Sequence, residues 1–239
     1  MTVNFATIDK LIEEGFLMDS RFNSPAEIAS LVSKSGVTKS MLSLPKMILL
    51  GLMAGAFIAF GGAASDVAMH GVADVGLARV VAGVIFPVGL MLVVFTGSEL
   101  FTGNCLMIIP TLEKKIKVAS MLRNLVVVYI SNFVGAMIID LLITFSGQLN
   151  YSNGGLGAFT IKVALAKTTI NPATAIISGI LCNILVCLAI VMATGATDAI
   201  GKIFGVFFPI CAFVVCGFEH CVANMFYIPI GVMAAMNPE

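Results

Sequence analysis

The side chains best suited to chemistry lie near the end of the chain. There Val215-Cys-Gly-Phe-Glu-His-Cys-Val-Ala-Asn224 sets Glu219 and His220 side by side within an otherwise apolar run. An imidazole can exchange a proton or a hydrogen bond near neutral pH. Burying an ionisable group at membrane depth costs ~2.5 kcal/mol or more, so such a residue is a functional candidate by default. The same framework stands earlier, in Val93-Val-Phe-Thr-Gly-Ser-Glu-Leu-Phe-Thr-Gly-Asn104. Both stretches read Val-Val followed by Gly-x-Glu-x-x-x-x-Asn, with Gly97, Glu99 and Asn104 answered by Gly217, Glu219 and Asn224. Each is preceded by Phe-Pro (Phe86-Pro87, Phe208-Pro209) and followed by Pro110 or Pro229.

Other chemistries are poorly served. The six cysteines (Cys105, Cys182, Cys187, Cys211, Cys216, Cys221) all sit in apolar runs with no C-x-x-C and no histidine cluster. They read as small membrane-compatible residues, not as a metal site or a disulfide frame. Two bis-histidine haems would need four histidines, and the chain has His70 and His220 alone. We therefore expect no cofactor, no metal and no catalytic residues. The longest basic cluster, Lys114-Lys115-Ile116-Lys117, gives no reason to expect a nucleic-acid partner.

The elements that carry the motif follow from composition. Of 239 residues, 59% are hydrophobic and only 11% charged, against about 25% charged in a soluble domain. The fold class is an all-α polytopic membrane protein. Long apolar runs cover 46–65, 77–110, 122–145, 172–195 and 203–236, and the lipid bilayer is the expected partner. A helix needs about 20 residues to cross ~30 Å of hydrocarbon, so the second and fifth runs exceed one straight crossing. Each contains the glycine-glutamate motif, which places breaks near residues 97 and 217.

Basic residues orient the chain. Lys10, Arg21, Lys34, Lys39, Lys46, Lys114, Lys115, Lys117, Arg123 and Lys202 fall on one side, and Arg79, Lys162 and Lys167 on the other. By the positive-inside rule the N-terminus is cytoplasmic, in a cell (inner) membrane protein with His70 and the 147–171 segment outside. The second span then runs inward and the fifth outward, making the repeats inverted, an arrangement in which broken helices meet near the midplane. Such breaks must line a cavity or be buried in protein. Glu99 and Glu219 are expected to accept hydrogen bonds from the freed amides, and Asn104 and Asn224 to cap the half-helices that follow.

Residues 1–45 form a more polar N-terminal segment preceding the channel domain at 46–239. Asp9, Glu13, Glu14, Asp19 and Glu27 interrupt any signal-peptide core, so the first span is expected to direct insertion. Ser24-Pro25-Ala26-Glu27 offers a capping box and a first-turn proline. Ile28, Leu31 and Val32 then form one face of a short amphipathic helix, set against the cytoplasmic interface or against the protein itself.

The two motifs, with Glu99-Leu-Phe-Thr-Gly-Asn104 and Gly217-Phe-Glu-His-Cys-Val-Ala-Asn-Met-Phe-Tyr-Ile-Pro229 at their centres, resemble the signature segments of the formate/nitrite transporter family. That family includes formate, nitrite and hydrosulfide channels. Ala54-Gly-Ala-Phe-Ile-Ala59 and Asn183-Ile-Leu-Val-Cys-Leu-Ala189 are similar to its first and fourth spans. The resemblance runs from Gly36 to Met236 and implies an aquaporin-like fold, a homopentamer, and one pore per protomer for small monovalent anions or their conjugate acids. It also implies that His220 is the central pore histidine and that Thr102 lies on a mobile loop between the halves of the second span. Phe86, Leu90, Leu100 and Phe213 would form apolar constrictions, Asn183 a polar pore position, and Lys167 and Lys39 the outer and inner anion-attracting lysines. The family's sixth helix has no counterpart before the chain stops at Asn237-Pro-Glu239, so the second repeat is expected to be incomplete.

Two rival readings follow. One is a neutral-solute channel of the aquaporin type, suggested by the solitary Asn171-Pro-Ala173; the other is an obligate proton-anion symporter on the same fold. None of these is an enzyme.

Overall fold

The computed structural model describes residues 22–236. Asp9, Lys10, Glu13, Glu14, Asp19, Arg21 and the final Asn237–Glu239, used above, lie outside the described residues.

The described chain is helical almost throughout. Helix α1 spans Pro25–Ser40, α2 Leu44–Met69, α3 Val75–Ile85, α4 Val88–Thr96, α5 Phe101–Asn104 and α6 Ile108–Leu112. Then come α7 (Val118–Phe145), α8 (Gly155–Thr168), α9 (Pro172–Gly195), α10 (Ala199–Cys216) and α11 (Cys221–Met236). Five stretches are long and apolar enough to cross a membrane: α2, the Val75–Thr96 unit made by α3 and α4, α7, α9 and α10. Proline at the 86–87 step interrupts that second unit without ending it, because proline lacks the amide that a continuous helix would use there.

Capping chemistry sets several boundaries. Ser24 accepts from the Glu27 amide, and the Glu27 carboxylate accepts from the Ser24 amide at 2.7 Å, a complete capping box. Asp74 and Asp198 start α3 and α10 by accepting from the Leu77 and Gly201 amides. The amphipathic face of α1 lies against the protein itself, with Ile28, Val32 and Gly36 buried and Gly36 pressed on Pro110. Leu31, expected on that face, is 41% exposed.

Helices α2 and α7 run side by side in parallel and nearly touch backbone to backbone. A Cβ on Gly55 would come within 1.9 Å of the Asn132 carbonyl oxygen, and one on Gly135 within 2.0 Å of that of Leu52. Only glycine allows this approach, the close packing by which membrane helices associate without hydrophobic drive between them. Helices α3 and α10 cross antiparallel: Arg79 lies beside Gly217, Gly83 beside Cys211 and Val215, and Phe86 beside Phe213. Helix α8 packs along α11, with Gly231 against Thr160 and Ala164. The 147–171 segment, expected outside, contains this helix, which its interrupted apolar pattern does not announce.

Candidate functional site

Two interruptions, built alike, lie at the centre of the protein. Helix α4 ends at Thr96 with Gly97 left-handed (φ 67°, ψ 27°), and α10 ends at Cys216 with Gly217 left-handed (φ 72°, ψ 29°). The next amide reaches back in each case: Ser98 N–H to the Val93 carbonyl at 3.0 Å, and Phe218 N–H to the Phe213 carbonyl at 3.1 Å. This is the glycine-terminated C-cap that closes the last turn of a helix. Three residues later a new helix starts, α5 after Leu100 and α11 after His220.

The two restarts are capped differently. His220 precedes α11, and its Nδ1 accepts from the Ala223 amide at 2.9 Å, so the imidazole serves as a helix N-cap. Leu100 cannot do this. Asn132, from α7, does it instead: its Oδ1 accepts from the Phe101 amide at 3.0 Å while its Nδ2 donates to the Glu99 and Gly51 carbonyls at 2.9 and 2.8 Å.

The glutamates bind side chains, not the freed amides expected from the sequence. Glu99 accepts from Lys39 Nζ at 2.6 Å and from Asn104 Nδ2 at 2.7 Å. Glu219 accepts from Lys167 Nζ at 3.0 and 3.1 Å and from Asn224 Nδ2 at 2.7 Å. Asn104 and Asn224 therefore tie each glutamate to the helix that follows and do not cap it. The reason is reach: both asparagines sit inside their helices, one turn past the break. Asn124 joins the first set by accepting from Asn104 at 2.8 Å, and the Glu219 amide in the second donates to Ser178 Oγ at 2.9 Å. Lys39 and Lys167 are thus ion-paired side chains, and the positive charge of each is offset locally.

The breaks meet at His220. Its Nε2 lies 3.1 Å from Thr102 Oγ1, which belongs to the first turn of α5 and not to a loop. Because Nδ1 accepts from Ala223, the ring proton sits on Nε2 and Thr102 receives it. Cys187 Sγ, on α9, contacts the Thr102 carbonyl at 3.7 Å and steadies that turn. Phe213 stacks on the imidazole (5.7 Å, 17° between planes) and Phe86 meets Phe213 edge-on at 5.6 Å. Phe86, Leu90, Leu100 and Phe213 are all buried in one apolar cluster. On the other side of the ring opens a cavity of about 820 Å³ bordered by Thr102, Lys167, Asn183, Glu219, His220 and Asn224. The Oδ1 atoms of Asn183 and Asn224 have no hydrogen-bond partner among the described residues.

Sequence reading missed Asn124, Asn132, Ser178 and Tyr227, and also two buried carboxyls, Asp66 and Asp140. An acid within an apolar run is a readable signal, and Asp140 lies well inside the third run. Asp66 lies just past the apolar run that ends at Ser65, whereas α2 continues to Met69. Among the described residues, no three His, Cys, Asp or Glu side chains could hold a metal ion.

Interrupted, oppositely directed helices meeting inside a set of apolar crossings define a multi-span membrane protein of the transport class. The formate/nitrite transporter family matches residues 26–238. A probable formate transporter of Methanothermobacter thermautotrophicus is 42% identical over 233 residues, covering 90% of this chain and 85% of the relative. A formate channel of Bacillus thuringiensis is 40% identical, covering 89% and 83%. Among solved structures, a pentameric formate channel with formate bound superposes with a TM-score of 0.75 at 31% identity, covering 82% of this chain and 78% of that one. An ion channel of the same family superposes with a TM-score of 0.78 at 28% identity, covering 87% and 84%. The chain belongs to the formate/nitrite transporter family and is a membrane protein.

Proposed function

We propose that this chain conducts small monovalent anions, formate first among them, together with their conjugate acids. Each protomer of a homopentamer holds its own path, and the N-terminus faces the cytoplasm at the inner membrane. The observation that carries the reading is the Thr102–His220 hydrogen bond, which joins the two breaks where the apolar cluster meets the cavity. The names of the relatives as formate channels support formate as the permeant.

The physical problem is desolvation. A bare carboxylate cannot enter an apolar ring without losing several kcal/mol of hydration. Lys39 and Lys167 mark the two approaches as anion-attracting groups, each held in place by its glutamate so that it presents a fixed dipole and not a loose charge. At the centre the permeant replaces Thr102 as the acceptor of the His220 Nε2 proton, and the N-terminal end of α11 adds a favourable potential for negative charge. His220 acts as a hydrogen-bond donor. Handing its Nε2 proton over would require Nδ1 to take one up, which breaks the bond from Ala223. The permeant, bearing a proton from solvent, then passes Leu90, Leu100, Phe86 and Phe213 in its neutral form and ionises beyond them.

Uptake of labelled formate into liposomes carrying the purified protein tests this. Formate flux above protein-free liposomes is expected, with competition by nitrite or hydrosulfide and none by sulfate. Water or glycerol permeation without formate flux would replace the reading with that of a neutral-solute channel.

A further inference from the structure

Lys167 is held on two sides, and only one of them belongs to the repeated pattern. Glu219 accepts from its Nζ with both carboxylate oxygens, at 3.1 and 3.0 Å. The Tyr227 ring takes another side, with Nζ 5.2 Å from the ring centroid. A cation is attracted to the negative face of an aromatic ring, more strongly where water is scarce. Here the Lys167 and Glu219 side chains are only 17% and 14% exposed. Tyr227 stands three residues after Asn224, and the residue three after Asn104 is Met107, which is buried and has no ring. Lys39 accordingly bonds one oxygen of Glu99, at 2.6 Å, with no aromatic face against it among the described residues.

The ring is fixed by its neighbours. Ser65, on α2, donates its hydroxyl to the Gly61 and Gly62 carbonyls at 3.0 and 2.9 Å. Its oxygen is therefore the acceptor in the 3.2 Å contact with the Tyr227 hydroxyl. Phe226 meets the Tyr227 ring edge-on at 5.2 Å and presses on Gly62, where a Cβ would come within 2.6 Å of Cδ1. Helix α8 carries Lys167 in its last turn and packs along α11 through Ala164 on Gly231. Three helices thus set one ring face against one ammonium. Lys167 borders the cavity together with Glu219, Asn224 and His220, and Tyr227 stands behind that wall.

We infer that Tyr227 is a positioning residue for anion binding at Lys167: its ring keeps the ammonium at the edge of the cavity while Lys167 exchanges a Glu219 bond for an incoming anion. An ammonium offers three N–H donors on a flexible four-carbon stem. Held by Glu219 alone, it would be released whenever an anion competed for those donors. The ring face accepts no conventional hydrogen bond that an anion could take over, so its hold persists through the exchange. At the other approach the Lys39 ammonium has no second hold of this kind, and the ring matters to Lys167 alone. A cation–π contact at a partly exposed site corresponds to about twofold to fivefold in an equilibrium constant.

This inference rests on the anion-channel reading, so wild-type formate flux into proteoliposomes is measured first. Tyr227→Met, which gives the second repeat the residue of the first, is expected to raise the apparent KM for formate about twofold to fivefold. Tyr227→Phe keeps the ring and is expected to recover most of the wild-type value. In a Lys167→Gln background Tyr227→Met should add nothing, and in a Lys39→Gln background it should keep its full effect. A wild-type KM in Tyr227→Met, or an equal effect in both backgrounds, would overturn the inference. Should Tyr227→Met fail to assemble, Tyr227→trifluorophenylalanine decides, because it keeps the ring's shape and drains its face of charge. Its KM must exceed that of Tyr227→Phe by about twofold or more, and equal values overturn the inference. If the wild type carries no formate, the channel reading falls and the contact is read without flux. Acetic anhydride labelling of Lys167, followed by mass spectrometry, must then be about twofold faster or more in Tyr227→Met than in the wild type, and equal rates overturn the inference.

Discussion

Replacing Asn132 with leucine separates a cap that comes from another helix from mere packing. Asn132 is fully buried and makes three hydrogen bonds to backbone: to the Gly51 carbonyl at 2.8 Å, to the Glu99 carbonyl at 2.9 Å and from the Phe101 amide at 3.0 Å. Gly51 sits mid-helix in α2, so its carbonyl keeps the helix's own hydrogen bond. The Glu99 carbonyl and the Phe101 amide flank the break and would be left buried without a partner. At about 1–3 kcal/mol for each orphaned group, Asn132→Leu should cost about 2–6 kcal/mol. The matched control is Ser131→Ala, one residue away, which removes only a bond to its own helix at the Val127 carbonyl. The assay is thermal unfolding of the purified protein followed by unmasking of its buried cysteine, Cys182. For a chain of this size the loss corresponds to a fall of at least about 4 °C in Tm relative to the control. Equal melting of the two variants would refute the assignment of Asn132 as the cap of α5.

Gly135→Ala should destabilise by about 1–3 kcal/mol or more, because the new Cβ would stand 2.0 Å from the Leu52 carbonyl oxygen. Gly71→Ala, which meets nothing within 4 Å, is the control in the same melt. Leu90→Ala and Phe213→Ala each open the apolar cluster beside His220, and flux of acetate relative to formate should rise in both. The Ser33 hydroxyl and Lys115 hold the Glu113 carboxyl below its usual range. Its contribution to holding α1 is therefore present above pH 4.5 and is lost as pH falls below that value. The protection of α1 amides, relative to their intrinsic exchange rates at each pH, should fall in acid, and in Glu113→Gln at neutral pH.

What could be read from the sequence was local and periodic. The two glycines that end α4 and α10 stand in over-long apolar runs, each followed two residues later by a glutamate, and the capping box at Ser24 spells its own geometry. What was not legible depends on partners distant in the chain. Nothing in the spacing of Asn132 tells that it caps a helix in another span, or that Lys39 and Lys167 are committed to Glu99 and Glu219. Helix α8 is not announced by its sequence because two glycines, two threonines and two lysines interrupt its apolar pattern; its packing on α11 supplies what its own periodicity does not. The contrast between Leu100 and His220 was visible as a difference of residue type. Its structural meaning, a cap supplied by α7 in one repeat and by the imidazole in the other, required the fold.

In the proposed mechanism the permeant takes a hydrogen bond from His220 at the meeting of the two breaks. Formate flux across pH 5 to 8 in His220→Gln and His220→Phe proteoliposomes tests it most directly, because glutamine keeps an N–H donor and cannot carry a proton. The account predicts that His220→Gln keeps most of the flux with the wild-type pH profile, whereas His220→Phe falls well below both. Equal loss in the two variants would mean that His220 must titrate, and equal retention that the permeant does not depend on it; either result contradicts the account.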